Sequence, residues 1–194
     1  MTLSKYHQQF SDLSDEEIKK RARAKKRELK IIFREVKLNT ENHTLRVAVL
    51  GCEDKRFIAH YKRIFEQLLM KNIDISTFDI TIEHLAGEHN VFQHDYILPL
   101  PSPPYDIIYS RVLLKFIETE KQFNLIKNSF SALITGGLAI HYFATEEVKA
   151  KGPRLDNGYW AVPLNRWEEE LTKRETKYRE INLKYGSALV LIRE

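Results

Sequence analysis

The residues best placed to bind a ligand are Gly51 and Cys52, where a strand pattern gives way to a helix pattern. Residues 46–50 form a short apolar run typical of a buried strand, and residues 54–70 carry apolar side chains at helical spacing. Glycine lets the backbone approach a ligand, and a helix start presents unpaired N–H groups at the positive end of its dipole. Because open α/β proteins hold cofactors at such junctions, we predict a cofactor site at Gly51.

The rest of the pattern predicts the elements that position this junction. Strands alternate with helices, as parallel strands require. The predicted strands are 46–50, 73–79, 90–94, 105–109 and 138–143, and the predicted helices are 54–70, a short one at Leu85, one around 123–133, and one from Asn165. Gly136-Gly137 is expected to end the third helix in a left-handed cap. The proline-rich segment 98–104 and the segment 144–164 are expected to be loops.

The end of the chain departs from this parallel scheme. Two apolar segments, 178–184 and 187–193, flank Tyr185-Gly186, and a strand that returns through two residues must be antiparallel. The predicted fold class is therefore α/β, with a doubly wound, mostly parallel sheet, a C-terminal antiparallel hairpin and an N-terminal basic helix.

The N-terminal region is expected to precede this α/β domain. Residues 1–13 are expected to be a loose lead-in. Ser14 and Glu17 have the spacing of a capping box, which predicts a helix running to about Val36. The predicted division of the chain is an N-terminal segment, residues 1–44, and an α/β domain, residues 45–194.

Positive charge is concentrated in the N-terminal helix. The whole chain has a net charge of +4, whereas residues 19–30 hold eight cations and one anion, a net charge of +7. Such a segment favours phosphate contacts, so binding of RNA or DNA through residues 19–30 is one expectation. A simply solvated helix face is the alternative, because the segment lacks aromatic residues that stack on bases.

Composition indicates a globular protein. Hydrophobic residues make up 43% of the 194 positions, and no apolar run reaches the roughly 18–20 residues that span a bilayer. The first residues contain no apolar signal-peptide core, and the one cysteine cannot form an intrachain disulfide. We therefore expect a cytoplasmic protein with no membrane contact.

The order and spacing of these motifs resemble those of the class I S-adenosylmethionine (SAM)-dependent methyltransferases. The resemblance covers residues 45–194 and implies a Rossmann-like fold, with SAM as the cofactor. The segments that carry it are 47–52 for the glycine loop, Asp79 after the second strand, His94-Asp95 after the third, 105–117 for the fourth-strand motif, 134–140 for the fifth strand, and the closing hairpin.

The resemblance also implies roles for individual residues. The loop of Gly51, Cys52 and Glu53 would lie against the methionine part of SAM. Asp79 would accept hydrogen bonds from the ribose hydroxyls, since a carboxylate accepts two donors at once. The other implied positions are Asp95 at the adenine amino group, His94 beside the adenine ring, and Ser110 and Arg111 at the transferred methyl and the substrate.

The resemblance identifies neither a catalytic base nor the acceptor of the methyl group. The sulfonium of SAM is a strong methyl donor, so orientation in a dry site suffices and no catalytic base is nominated. Tyr159 and Trp160 either line the site of the acceptor, a small molecule or RNA, or pack on the helix below. His84, His89 and His94 recur every five residues, on neither a helix face nor a strand face, so no metal is expected.

Three residues depart from the family pattern and support other hypotheses. Val49 stands where an acid is usual, and Glu53 and Lys55 stand where further glycines are usual. The second hypothesis is therefore a catalytically inactive methyltransferase-like module for binding or assembly. A nicotinamide-dependent oxidoreductase fits less well, because the G-x-G-x-x-G fingerprint is absent and Asp79 lies 28 residues after Gly51 instead of about 20.

Overall fold

Residues 5–194 are described by the computed structural model, and they contain one seven-stranded sheet. Its strands are β1 (Thr44–Leu50), β2 (Asn72–Asp79), β3 (Val91–Gln93), β4 (Tyr105–Arg111), β5 (Leu133–Ala144), β6 (Tyr178–Leu183) and β7 (Gly186–Ile192). They lie in the order β3-β2-β1-β4-β5-β7-β6. β1 to β5 pair in parallel, and β7 is antiparallel to both β5 and β6. The predicted mostly parallel sheet with a closing antiparallel hairpin is confirmed.

Helices cover both faces of this sheet. They are α1 (Lys5–Ser11), α2 (Asp15–Glu35), α3 (Arg56–Leu69), α4 (Thr119–Ser131), α5 (Thr145–Val148) and α6 (Leu164–Lys173). Apolar residues of α2 and α3 pack with Val47 and Ile107 on one face, and those of α4 and α6 pack with Ala48 and Ile108 on the other. Successive strand residues point to opposite faces, so central strands of a doubly wound sheet are apolar throughout. None of the helices within residues 5–194 is long and apolar enough to cross a bilayer.

The predicted capping box begins α2. The Ser14 hydroxyl accepts the Glu17 N–H at 3.3 Å, and the Glu17 carboxylate accepts the Ser14 N–H at 2.9 Å. The helix ends at Glu35, because Val36 adopts an extended backbone. Both predicted ends are confirmed.

The predicted glycine cap of α4 is wrong. That helix ends at Ser131, and Gly136 and Gly137 lie within β5. Gly136 has a φ of 82°, and a Cβ there would lie 1.7 Å from the Asn39 carbonyl oxygen. Position 136 therefore requires glycine, because the backbone before β1 passes too close for a side chain. No local sequence pattern predicts this contact.

Three further boundaries differ from the prediction. The hairpin turns at Lys184-Tyr185, because Leu183 pairs with Gly186 and glycine there avoids a clash with the Phe143 carbonyl. The segment expected as one loop after β5 begins with α5. The lead-in expected at residues 1–13 contains α1, and residues 1–4 lie outside the described part of the chain.

A buried ion pair joins α2 to the loop after β1. Lys25 Nζ donates to Glu53 Oε1 at 2.6 Å and to the Tyr61 hydroxyl at 2.8 Å. The side chains of Lys25 and Glu53 are only 4% and 9% exposed. Burial lowers the pKa of Lys25 and opposes ionisation of Glu53, but the Lys25 ammonium keeps the pKa of Glu53 below its usual value. The position of α2 is thus set by charge as well as by apolar packing.

Gly136→Ala should destabilise the fold. A positive φ alone costs a non-glycine residue about 1–3 kcal/mol, and the clash with Asn39 adds to it. We expect a loss of at least about 2 kcal/mol in the free energy of unfolding, measured by urea titration. Gly152→Ala is the control, because no atom lies within 4 Å of a Cβ there. Equal stability of the two variants would contradict the assigned role of Gly136.

Glu53→Gln should also destabilise the protein, by about 3–5 kcal/mol, because it leaves the buried Lys25 ammonium without its counter-ion. In the double variant Lys25→Met/Glu53→Gln the charge is absent, so most of this loss should be recovered. Thermal and urea unfolding of the two variants test this. A double variant less stable than Glu53→Gln would show that the ion pair is not the source of the effect.

Candidate functional site

A cavity of about 230 Å³ lies at the carboxyl ends of β1, β2 and β4, where α1 covers it. The carboxyl ends of parallel strands meet at one edge of a sheet, so residues far apart in sequence come together there. We name it the Asp79 cavity; its lining residues are Tyr6, His7, Gly51, Cys52, Glu53, Asp79, Ile80, Thr81, Tyr96, Arg111, Val112, Leu113 and Phe116.

Gly51 turns the chain at the wall of this cavity. Its φ is 74°, and its N–H donates to the Phe78 carbonyl at 2.8 Å, which ties the end of β1 to β2. A Cβ at this position would lie 3.0 Å from a methyl group of Leu113. A side chain here would therefore narrow the space between the loop and the end of β4.

The Asp79 carboxylate is a buried anion on the cavity wall. The residue is 5% exposed, and its Oδ2 accepts the Cys52 N–H at 2.9 Å. Tyr96 lines the same cavity, and burial together with Asp79 raises the pKa of its hydroxyl well above the usual value. A carboxylate offers about four acceptor positions, so Asp79 retains capacity for the hydroxyl or amino groups of a ligand.

Cys52 and Glu53 contribute mainly backbone to the site. The Cys52 thiol donates to the Asp54 carbonyl at 3.3 Å, and burial raises its pKa, so it is no thiolate nucleophile at neutral pH. The Glu53 carboxylate is occupied by Lys25 and lies within 3.4 Å of the Tyr61 hydroxyl. The side chain that replaces a glycine of the family pattern is thus held by α2 and α3.

A second cavity, of about 370 Å³, adjoins the first, and the two share Tyr6, Glu53, Arg111 and Val112. We name it the Tyr142 cavity. Arg111 Nε and Nη2 donate to the two carboxylate oxygens of Glu28 at 3.0 and 3.1 Å, and the guanidinium lies 4.5 Å from the centre of the Tyr142 ring. Arg111 is therefore a fixed wall between the two cavities.

The lid of the Asp79 cavity, α1, was missed from the sequence. Tyr6 lies against Phe116, with 4.8 Å between ring centres, and burial raises the pKa of the Tyr6 hydroxyl. Arg56 holds the end of α1, because its guanidinium donates to the Phe10 and Leu13 carbonyls at 2.9 Å. The helical spacing of Tyr6, Phe10 and Leu13 was the available signal for this helix.

Five of the ten predicted site residues line the Asp79 cavity, and five do not. Gly51, Cys52, Glu53, Asp79 and Arg111 line it. The residues that do not line it are Ser110, His94, Asp95, Tyr159 and Trp160, although the centre of the Tyr159 ring lies 4.8 Å from that of Phe116, which lines the cavity. 

Three of these five residues have other surroundings in the structure. The Ser110 hydroxyl lies 2.8 Å from Nδ1 of the buried His141, within the sheet. Asp95 is exposed and its carboxylate accepts the Ile97 N–H at 3.2 Å. Trp160 lines a separate cavity.

One group of side chains has the composition of a metal site. One ligand atom each from His7, Asp79 and His84 lies within 4.8 Å of the other two. The sequence pattern offered only His84, His89 and His94, because His7 reaches the site through α1. A larger cavity, of about 590 Å³, lies beside Asn39 and Gly136, away from every predicted site residue.

No protein-family model matches the sequence, and no curated protein matches it. Solved structures match over most of its length. A SAM-dependent methyltransferase from Clostridium acetobutylicum is 9% identical, with a TM-score of 0.60, over 95% of this chain and 94% of that one. DesVI from Streptomyces venezuelae is also 9% identical, with a TM-score of 0.65, over 89% of this chain and 92% of DesVI.

Other similar structures are longer proteins. An O-methyltransferase family protein from Burkholderia thailandensis is 10% identical, with a TM-score of 0.58, and this chain spans 56% of it. LepI, solved in complex with SAM, is 12% identical, with a TM-score of 0.56, and this chain spans 46% of it. At such identities the similarity resides in the architecture. The chain has the class I methyltransferase fold.

Proposed function

We propose that this protein is a methyltransferase that binds SAM in the Asp79 cavity and its methyl acceptor in the Tyr142 cavity. The observation that carries the proposal is the meeting of the Gly51 turn and the buried Asp79 carboxylate in one cavity of this fold. The SAM complex of LepI, which has a similar fold, supports the same choice of cofactor.

The residues of the Asp79 cavity fit the proposed cofactor. Asp79 would accept the two ribose hydroxyls, and the Cys52 N–H orients that carboxylate by donating to it at 2.9 Å. Gly51 has no side chain, so the space between its loop and Leu113 stays open to the ligand. When bound, SAM supplies a methyl group on a positively charged sulfur, so the protein contributes chiefly proximity and exclusion of water.

Entry of the cofactor requires Tyr6 to move. The Asp79 cavity, at about 230 Å³, is below the roughly 300–1,000 Å³ of most small-molecule sites. Tyr6 lines both cavities, and α1 is a short helix whose end is held chiefly by Arg56. Displacement of Tyr6, which lines both cavities, would join them beside Arg111 and bring cofactor and acceptor into contact.

A second candidate is a binding module without turnover. It is favoured by Val49, a core residue only 1% exposed at the position where the family carries an acid, and by the engagement of Glu53 with Lys25. The two candidates differ in one measurement. Only the first converts SAM to the demethylated product when an acceptor is present.

Asp79→Asn tests the proposed cofactor site. Wild type at about 100 times the dissociation constant of SAM should gain about 2.7 kcal/mol of stability, a rise of roughly 5–10 °C in melting temperature. Asp79→Asn should lose most of this rise, because an amide offers a single acceptor oxygen. Asp74→Asn, exposed at the opposite end of β2, is the matched control and should retain it. An equal rise in both variants would place the cofactor elsewhere.

We further propose RNA as the acceptor, because exposed cations of α2 and α3 form one surface. Lys26 of α2 donates to Gln67 of α3 at 2.6 Å, so the helices lie side by side. Burial, Arg63 and Lys19 together lower the pKa of His60, which places cations of both helices around one site. Arg21, exposed on α2, lines the Tyr142 cavity and connects this surface to the proposed acceptor site.

Removal of three cations tests this surface. Lys19→Gln/Lys30→Gln/Arg63→Gln should weaken binding of a single-stranded RNA oligonucleotide and reduce its salt dependence, by roughly 0.7 in the slope of log K against log salt for each lost phosphate contact. The control is Lys127→Gln/Lys149→Gln/Lys151→Gln, which removes equal charge elsewhere. Fluorescence anisotropy at several salt concentrations measures both. Equal weakening by the two triple variants would mean that only net charge matters.

A further inference from the structure

Three metal-ligating side chains meet at the rim of the Asp79 cavity. His7 comes from α1, Asp79 ends β2, and His84 lies in the short helical turn Glu83–Leu85. One ligand atom from each lies within 4.8 Å of the other two. The rings of His7 and His84 are stacked, with 3.7 Å between their centres and 11° between their planes.

The backbone of Cys52 orients two of these three side chains. Its N–H donates to Asp79 Oδ2 at 2.9 Å, and its carbonyl lies 2.7 Å from His84 Nε2. A carbonyl only accepts hydrogen bonds, so Nε2 carries a proton, and in the neutral imidazole Nδ1 then keeps its lone pair. Histidines that bind metals usually donate their second N–H to a carbonyl or carboxylate in this way.

The second ring nitrogen of His84, Nδ1, indicates that a partner is missing from this site. The side chain is only 4% exposed, and Nδ1 is buried without a hydrogen-bond partner in the part of the chain that the structure describes. A buried polar atom is ordinarily paired, because leaving it unpaired costs about 1–3 kcal/mol. A bound cation would satisfy this lone pair.

The ligand atoms of these three side chains also suit a metal cation. Asp79 supplies a carboxylate oxygen, and His7 and His84 each supply a ring nitrogen. Imidazole nitrogens and a carboxylate oxygen are the ligand types of Zn²⁺ and similar divalent metals. Tetrahedral Zn²⁺ ligands lie roughly 3.3 Å apart at the bond lengths of such sites, so side-chain movements of about 1 Å would close the group around an ion.

We propose that His7, Asp79 and His84 form a site for a divalent transition metal, with Zn²⁺ as the favoured ion. The metal joins α1 to the end of β2 and so fixes the lid over the Asp79 cavity. Because Asp79 belongs to both sites, metal and SAM exclude one another. This exclusion rests on the proposed function, whereas the metal site does not.

Titration of the untagged chain with Co²⁺, followed by visible absorption, tests the metal site. We expect one ion per chain and displacement of Co²⁺ by Zn²⁺. His7→Ala, on the lid, and Asp79→Asn, which keeps the shape of the side chain, should each weaken binding by at least about 10–100-fold. His89→Ala, at an exposed position outside the group, is the control and should bind as wild type does.

The possible results separate the two parts of the proposal. Absence of a saturable Co²⁺ spectrum, or equal affinity in wild type, His7→Ala and Asp79→Asn, would overturn the metal site. If the metal binds as expected, the demethylated product of SAM should raise the apparent dissociation constant of Co²⁺. An unchanged constant, with the product bound elsewhere, would overturn the exclusion and the cofactor role of Asp79 while the metal site stands.

Discussion

The Lys25–Glu53 ion pair fixes α2 to the loop after β1 at the carboxyl edge of the sheet, because two buried charges are tolerated only together. The position of α2 then determines the rest of the site. Glu28, one turn further along α2, holds Arg111 between the two cavities. Arg56 binds Asp15 at the start of α2 as well as the end of α1, so the lid is attached to the same helix. The charged contacts of α2 thus align loop, lid and cavity wall.

The ion pair between Lys25 and Glu53 also explains how the loop after Gly51 accepts Glu53 at a position where the family pattern has a glycine. A carboxylate left in the cavity would repel an anionic group and be costly to bury. The ammonium of Lys25 neutralises Glu53 from outside the loop, and Tyr61 adds a polar partner. The altered loop and the N-terminal helix are therefore complementary features. The buried Lys25 on the helix needs the Glu53 carboxylate, and the buried Glu53 in the loop needs the Lys25 ammonium.

The N-terminal region supplies several residues of the site. α1 covers the Asp79 cavity and brings His7 to Asp79 and His84, and α2 contributes the wall of the Tyr142 cavity and the cationic surface. The sheet carries the elements common to the class I methyltransferase fold. The two helices that precede that sheet therefore complete both cavities.

Sequence patterns were enough to predict the sheet, its closing hairpin, the capping box at Ser14 and the positions of Gly51 and Asp79 at the cavity. These follow from periodicity, turn chemistry and the rule that parallel strands end at one edge, all of which are local or topological. Three contacts could be seen only in the folded chain: the close approach at Gly136, the pairing of Glu53 with Lys25, and the stacking of His7 on His84. Those contacts join residues far apart in the chain, and local sequence patterns carry no information about such distances.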